Sequence, residues 1–216
     1  MNYINGWYFP NSEEHFIEFM KDRQISEYQP EVRLESFKYL KKNRNAIDIG
    51  ANVGLWARDI CKTFENAYLF EPYFENVECL KKNLNEFQNF KIFECALSNT
   101  IGLDDLHIYP NALGANTLNP KGDGKAQTVQ IKKRKLDDFN FKEIDYIKID
   151  VQFHELEVIE GSTNTLIEND PILCVESARR NDSELQYVKK FVKLLEELNY
   201  KIIGGFGKEL FFKKKR

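Results

Sequence analysis

The chain has 216 residues, 42% of them hydrophobic, which is enough to bury one sizeable core and fits a single domain. Lysine and arginine number 31 against 34 aspartate and glutamate residues, and the resulting net charge of -3 makes a nucleic-acid partner an unfavourable interpretation. Four scattered cysteines without a CxxC pair predict reduced thiols, and neither a zinc site nor a disulfide framework. No window approaches the ~20 apolar residues of a membrane span and no leader is visible, so we expect a cytoplasmic protein without membrane insertion.

The N-terminal residues 1–44 are predicted to form a helical segment that packs on the core, where it can cover a site. Apolar residues at helical spacing run through 12–43, and Pro30 separates two helices because proline suits the first turn of a helix. Residues 45–216 carry alternating strand and helix patterns, which we take as one domain. Its first half has an apolar strand before Asp48, a helix over 55–63, a strand ending at Glu71, a helix over 73–87 and a strand over 90–94.

The second half of this domain begins with short strands on either side of a loop at 110–125. A strand over 146–149, a helix over 155–168, a strand over 172–175, a helix over 185–198 and a closing hairpin follow. Strands that alternate with helices predict an α/β fold with a mainly parallel sheet, whose ligands bind at the carboxyl ends of the strands. The acids expected along that rim are Asp48, Glu71, Asp150 and Glu176.

A glycine-containing loop, Asp48-Ile49-Gly50-Ala51-Asn52-Val53-Gly54, follows the first strand. Gly50 and Gly54 permit a tight turn close to a ligand, and Asn52 tolerates unusual backbone angles. The loop lacks the GxGxxG pattern that brings a helix to a pyrophosphate, so it favours S-adenosylmethionine, which has no phosphate, over a dinucleotide. Glu71 is placed to accept two hydrogen bonds from the ribose, and Asp48 to fix the loop or receive the donor's amino group. The alternative is that the glycines only end a strand and Glu71 is a surface acid.

A second polar group, Asp150-Val151-Gln152-Phe153-His154-Glu155, follows the fourth strand of the predicted sheet. Asp150, His154 and Glu155 are candidate catalytic residues, since such groups can orient an acceptor hydroxyl, accept its proton or bind a divalent cation. A structural alternative is that Glu155 begins a helix at its positive end and His154 packs in the core. Glu176 can join them from the neighbouring strand. Three acids alone do not identify a magnesium site, so no metal is predicted.

Several motifs, in this order, resemble the FkbM family of S-adenosylmethionine-dependent methyltransferases: DIGANVG at 48–54, FEP at 70–72, CALSN at 95–99, LDDF at 136–139 and YIKIDVQFHELEVIEG at 146–161. The resemblance implies the class I methyltransferase fold, which is Rossmann-like, with a seven-stranded sheet whose last strand is antiparallel, and S-adenosylmethionine as cofactor. It implies donor contacts at Asp48, Gly50, Asn52, Gly54, Glu71, Ala96, Leu97, Ser98 and Asp150. The family typically has glycine where this chain has Phe153, so we expect the ring to narrow or reshape the acceptor pocket.

The expected reaction is direct, in-line transfer of the donor's methyl group to a hydroxyl of a sugar or another small metabolite, without a covalent intermediate. His154 is the predicted base because imidazole exchanges protons near neutral pH, and Asp150 would orient it or the acceptor. Predicted acceptor contacts are Asn116, Thr117, Phe153 and Glu176. Two alternatives stay open: N-methylation, although the chain lacks a DPPY or NPPY segment, and an S-adenosylmethionine-binding protein without turnover, for which Phe153 is the reason.

Overall fold

The computed structural model describes residues 1–23, 27–120, 126–177 and 181–215. The strands are β1 (Asn2–Ile4), β2 (Trp7–Phe9), β3 (Asn45–Ile49), β4 (Asn66–Phe70), β5 (Phe90–Phe93), β6 (Ala96–Leu97), β7 (Gly102–Ile108), β8 (Gln127–Arg134), β9 (Ile144–Ile149), β10 (Ile172–Glu176), β11 (Tyr200–Phe206) and β12 (Glu209–Lys214). The helices are α1 (His15–Arg23), α2 (Pro30–Phe37), α3 (Ala57–Thr63), α4 (Phe74–Asn83), α5 (Glu155–Glu160), α6 (Thr163–Asn169) and α7 (Asp182–Glu197). Two short 3-10 helices cover Leu113–Ala115 and Leu136–Phe139.

A seven-stranded sheet lies at the centre of the fold, with the strand order β11-β12-β10-β9-β3-β4-β5. Neighbouring strands from β10 to β5 run parallel, whereas β12 runs antiparallel to both β10 and β11. The prediction of an α/β fold with a mainly parallel seven-stranded sheet and an antiparallel last strand is therefore confirmed. This topology brings the carboxyl ends of four parallel strands, β10, β9, β3 and β4, side by side along one rim.

Side chains that alternate along the central strands enter two different apolar layers. Ile47 and Ile49 of β3 belong to the layer that includes residues of α5, α6 and α7. Ala46 belongs to the opposite layer, with residues of α2, α3 and α4. The same alternation places Asp48 on the face of Ala46, so a carboxylate from the middle of the chain's first parallel strand is directed into an apolar layer.

The prediction of a single helix over 155–168 is wrong, because the helix is interrupted between α5 and α6. A Cβ atom added to Gly161 would lie 2.0 Å from the carbonyl oxygen of Ser98, so the backbone at the break packs directly against the strand region before it. Helix α6 then begins anew, and the Asp137 carboxylate accepts hydrogen bonds from the backbone N–H groups of Asn164 (3.0 Å) and Thr165 (2.8 Å). A side chain distant in sequence therefore caps the second helix.

The N-terminal segment begins with the β1–β2 hairpin, which the sequence patterns did not predict, and continues with α1 and α2. Pro30 lies in the first turn of α2, as predicted. Glu13 fastens this segment to the loop after β7: one carboxylate oxygen accepts from the Leu113 N–H (2.7 Å) and the other from the Phe16 N–H (2.7 Å). These two hydrogen bonds thus attach the N-terminal segment to the loop beside the carboxyl ends of the parallel strands.

A smaller sheet with the order β6-β8-β7 carries the loop predicted at 110–125. The part of that loop that contains Gly122, Asp123 and Gly124 lies outside the described residues. Across the described ranges, every helix is too short or too polar to span a membrane.

Candidate functional site

The carboxyl ends of the parallel strands border a cleft that encloses about 580 Å³ of empty space, counting the part open to solvent. We call it the rim cleft. Predicted site residues that line it are Gly50, Asn52, Glu71, Ala96, Leu97, Asn116, Thr117, Asp150 and His154. Three other predicted residues lie behind this lining: Asp48 faces Lys148, Gly54 packs against Leu80, and Ser98 contacts His154.

The turn after β3 brings two strand ends into close contact. Gly50 has φ of +82°, and a Cβ atom there would lie 2.0 Å from the carbonyl oxygen of Asp150. Asn52 also has positive φ, 50°, and its side-chain oxygen accepts from the Val53 N–H (2.6 Å). A Cβ on Gly54 would lie 2.7 Å from a methyl group of Leu80. Gly50 therefore lets the turn approach β9, whereas Gly54 allows packing against α4.

Glu71, at the end of β4, is held by three donors. Its Oε2 accepts from the Asn52 N–H (2.8 Å), and its Oε1 accepts from the Tyr73 N–H (3.0 Å) and the Asn76 amide (3.2 Å). Burial raises the pKa of Glu71 to about 7, although these hydrogen bonds favour the ionised form. A carboxylate has about four lone-pair sites, so Oε2 keeps capacity for a further donor from the cleft.

Two amides at the rim cleft have buried atoms without a hydrogen-bond partner among the described residues, Asn76 Oδ1 and Asn116 Nδ2. The other end of the Asn116 amide is used, because its oxygen accepts from the Tyr109 N–H (3.0 Å). An unpaired buried polar atom costs about 1–3 kcal/mol, so a ligand that offers both a donor and an acceptor would relieve both amides. Ala96 and Leu97 add an apolar surface to the same cleft, on which a flat ring could lie.

A buried lysine, which the sequence analysis did not single out, lies at the centre of the rim. Lys148 is paired in register with Asp48 across β9 and β3, and its Nζ is 3.5 Å from both Asp48 and Asp150. Nζ also lies 5.4 Å from the centre of the Trp56 ring. Burial raises the pKa of the Asp48 carboxyl, and the Lys148 charge partly opposes that rise. The sequence did contain a signal for this buried cation, a lysine within the otherwise apolar strand YIKI at 146–149.

Gln152 joins two of the predicted acids. Its Nε2 donates to Asp150 Oδ1 (2.8 Å) and to Glu176 Oε2 (2.8 Å). Burial, followed by the charges of Asp150 and Glu155, raises the pKa of Glu176 to about 9. No group of three or more His, Cys, Asp or Glu residues in the described ranges is arranged to hold a metal ion.

The predicted base, His154, already has a partner on each ring nitrogen. Nε2 lies 3.0 Å from Ser98 Oγ and Nδ1 lies 3.2 Å from the Asn119 amide nitrogen. Because the Asn119 amide nitrogen can only donate, His154 Nδ1 accepts from it, and Nε2 carries the ring proton towards Ser98. Burial is the largest cause that lowers the pKa of His154, which favours the neutral ring.

Glu155 stabilises the turn between β9 and α5. Its Oε1 accepts from the backbone N–H groups of Val151 (3.1 Å) and Phe153 (3.2 Å), and burial raises its pKa to about 7. The Phe153 ring does not line the rim cleft: it packs edge-on against Tyr187 of α7, with 6.0 Å between centroids, in a separate surface hollow. Phe153 has φ of 71°, a backbone conformation uncommon for a residue with a side chain.

A second cavity opens beside the rim cleft and shares Gly50, Asn52, Gly114, Asp150 and Gln152 with it. We call it the side cavity; it encloses about 1150 Å³, again counting open space. Its other walls come from the N-terminal segment and from the strands on the β10 side, and include Phe16, Tyr28, Gln29, Trp56, Glu176 and Lys208. Gln29 connects these walls, accepting from the Trp56 indole N–H (3.1 Å) and donating to Glu209 (3.2 Å).

The fold, the turn after β3 and the acid after β4 define a class I methyltransferase. Residues 48–202 match the methyltransferase FkbM domain, so the chain belongs to the FkbM family, and S-adenosylmethionine is its methyl donor. Methyltransferase sdnD of Sordaria araneosa is 27% identical over 159 residues, covering 56% of this chain and 61% of that protein. Hexuronic acid methyltransferase AglP of Haloferax volcanii is 29% identical over 122 residues, covering 55% of this chain and 50% of that protein. The chain thus spans about half to three fifths of these relatives.

Solved structures share the fold at low sequence identity. SMU.1697c of Streptococcus mutans, solved in complex with SAH (S-adenosylhomocysteine), matches with a TM-score of 0.56 at 14% identity, covering 87% of this chain and 99% of that one. Methyltransferase FkbM from Methylobacillus flagellatus KT matches with a TM-score of 0.51 at 15% identity, covering 79% of this chain and 43% of that one. At these identities the likeness concerns the fold alone.

Proposed function

We propose that this protein transfers a methyl group from S-adenosylmethionine to a hydroxyl of a sugar-like acceptor. The observation that carries the proposal is the pair of connected cavities: the rim cleft fits a nucleoside, the side cavity offers room for an acceptor, and Asp150 borders both. The relative AglP methylates a hexuronic acid by its name, which supports the acceptor class. Lys208 lines the side cavity, where its positive charge suits an acceptor that carries a carboxylate.

In this proposal the rim cleft holds the adenosine part of the donor. Ala96 and Leu97 contact the adenine, the two unpaired amide atoms of Asn76 and Asn116 meet its polar edges, and Glu71 accepts hydrogen bonds from the ribose hydroxyls. When bound, the donor supplies an electrophilic methyl group on a positively charged sulfur. Asn52 and Asp150 line the cleft on either side of Gly50, where the methionine part would lie.

The acceptor enters the side cavity under the N-terminal segment. Tyr28 and Trp56 offer aromatic faces and Gln29, Gln152 and Glu176 offer polar atoms, a mixture that suits a ring with several hydroxyls. His154 acts as a positioning residue in this scheme, because both ring nitrogens are engaged. Phe153 packs outside the cleft, which supports turnover over the alternative of a binding protein without it.

Calorimetric titration tests the donor site through Glu71. A hydrogen bond to a charged group contributes about 1.5–3 kcal/mol, so Glu71→Gln should weaken SAH binding about 10- to 100-fold. Because Glu71 also holds the loop at Asn52, the ribose role is separated by titrating 2′-deoxy-SAH: the wild type should lose affinity for it, and the variant should not discriminate. Glu78→Gln, which alters an exposed pair with Lys81, is the matched control. If Glu71→Gln and Glu78→Gln prefer SAH to 2′-deoxy-SAH by the same factor, Glu71 does not bind the ribose.

Turnover is measured as SAH production with a panel of methyl glucuronide, methyl glucoside and an amine-bearing sugar. Product formed from the hydroxyl compounds, with the added methyl on oxygen by NMR, supports the proposal. Product formed only from the amine favours N-methylation. Tight donor binding with no product across hydroxylated rings of this size contradicts a sugar-like acceptor.

A further inference from the structure

We propose that Glu176, bridged to Asp150 by Gln152, receives the proton that the acceptor hydroxyl loses, and that the positive sulfur of the donor prepares Glu176 for this role. The inference deepens the proposed function and rests on it. It replaces His154 as the proton acceptor and assigns Gln152 a positioning role.

The geometry places the two acids as one unit between the cavities. A single amide nitrogen, Gln152 Nε2, donates one hydrogen to each carboxylate at 2.8 Å. Gln152 has φ of 53°, so its backbone adopts a conformation uncommon for a residue with a side chain. Asp150 borders both cavities, whereas Glu176 lines the side cavity, where the acceptor hydroxyl would lie. The pair therefore spans the path between donor and acceptor.

A cluster of acids is by itself no evidence for a ligand, but the same cleft contains an independent feature. Asn76 is 1% exposed, and its Oδ1 has no hydrogen-bond partner within the described ranges although it belongs to the cleft lining. A buried acceptor atom in the lining of a cleft offers a position for the polar hydrogen of a bound partner. The cleft that Asp150 borders is thus built to hold a ligand.

Charges from every neighbouring element act on Glu176. Asp150 and Lys148 come from β9 and its end, Glu155 from α5, and Lys208 and Glu209 from the hairpin that pairs with β10. Tyr28 from the N-terminal segment is close enough for the Glu176 charge to raise its pKa. Burial and the neighbouring carboxylates outweigh the cations and raise the pKa of Glu176 to about 9. Near neutral pH the Glu176 carboxyl is therefore protonated before a ligand binds.

A positive charge within about 4–6 Å of a carboxyl lowers its pKa by about 1–3. In this inference the donor's sulfur, bound beside Asp150, lies within that range of Glu176, which would then ionise near neutral pH. In the transfer step the acceptor oxygen forms a bond to the methyl carbon, the carbon–sulfur electron pair stays on sulfur, and the hydroxyl proton moves to Glu176. The sulfur is now neutral, so the pKa of Glu176 rises again and the proton is retained until the product leaves.

Proton release on binding tests this coupling without an acceptor. Titrations of S-adenosylmethionine and SAH at pH 8, in buffers that differ in ionisation enthalpy, give the protons released per ligand. Both ligands carry the same amino and carboxyl groups, but the sulfonium charge also lowers the pKa of the ligand's own amino group. The part of the difference that depends on Glu176 therefore reports how the sulfur charge acts on that carboxyl. We expect Glu176 to make S-adenosylmethionine release about 0.4–0.9 more protons than SAH, as a pKa of about 9 falls by about 1–3.

Glu176→Gln should abolish this part of the difference while SAH still binds. Gln152→Ala keeps both acids but removes the donor that favours their ionised forms, so it should reduce the difference. Glu168→Gln, in an exposed pair with Lys142, is the matched control and should behave as wild type. A difference between the two ligands that is as large in Glu176→Gln as in the wild type overturns the inference. Failure of both ligands to bind the folded wild type is a distinct result, which overturns the proposed function and this inference with it.

Discussion

Replacing Lys148 by methionine leaves the Asp48 carboxylate in an apolar layer without the cation that faces it. Lys148 Nζ is 3.5 Å from Asp48 and from Asp150, and the Lys148 and Asp48 side chains are 5% and 0% exposed. At an effective dielectric constant of about 20, one such pair has a Coulomb energy of about 5 kcal/mol. Much of this only offsets desolvation, but removing one partner of a buried pair typically costs about 3–5 kcal/mol. We expect Lys148→Met to lower the free energy of unfolding by that amount at pH 7.

The loss should depend on pH with a defined sign. Burial already raises the pKa of Asp48, and loss of the Lys148 charge raises it further. A carboxyl with a folded-state pKa above its unfolded value of about 3.9 destabilises the fold as pH rises through the folded-state pKa. The deficit of the variant should therefore be largest above the folded-state pKa of Asp48 and shrink as pH falls and Asp48 becomes neutral.

Urea denaturation followed by tryptophan fluorescence measures the effect, with Trp56 beside the substituted residue as a probe. Adding Asp48→Asn to Lys148→Met should recover about 0.5–3 kcal/mol, because it removes the unpaired charge. Lys38→Met, at an exposed pair with Glu35, is the control and should cost at most about 1 kcal/mol. A Lys148→Met protein as stable as wild type at pH 7, or a deficit that Asp48→Asn leaves unchanged, would refute this account of the buried cation.

Two further predictions concern residues of the recognised motifs. Phe153→Gly should leave SAH affinity unchanged by calorimetry, because the ring contacts Tyr187 outside the cleft; a weakening of about tenfold or more would place the ring at the donor after all. Asp137→Ala should lower the free energy of unfolding in urea by about 0.5–2 kcal/mol, since its carboxylate caps α6 through the N–H groups of Asn164 and Thr165, and a neutral result would show that the cap is replaced by water.

Much of the fold follows from local patterns in the sequence. Alternating apolar runs and helical stretches predict the succession of strands and helices along the chain, because the period of the apolar residues depends on local backbone geometry. The break between α5 and α6 was not predictable in this way. It depends on contact of Gly161 with Ser98, a residue more than sixty positions away, and on the Asp137 cap.

The sequence by itself determined the family, the donor and the set of polar residues that follow the parallel strands. Strand order then carries them to one rim, since parallel strands expose their carboxyl ends on the same side. Only the tertiary structure decided what each residue touches: Lys148 reaches Asp48 through strand register, Gln152 joins Asp150 to Glu176, and Gly54 packs on Leu80. These contacts depend on distances and burial between elements far apart in the chain, which residue spacing does not encode.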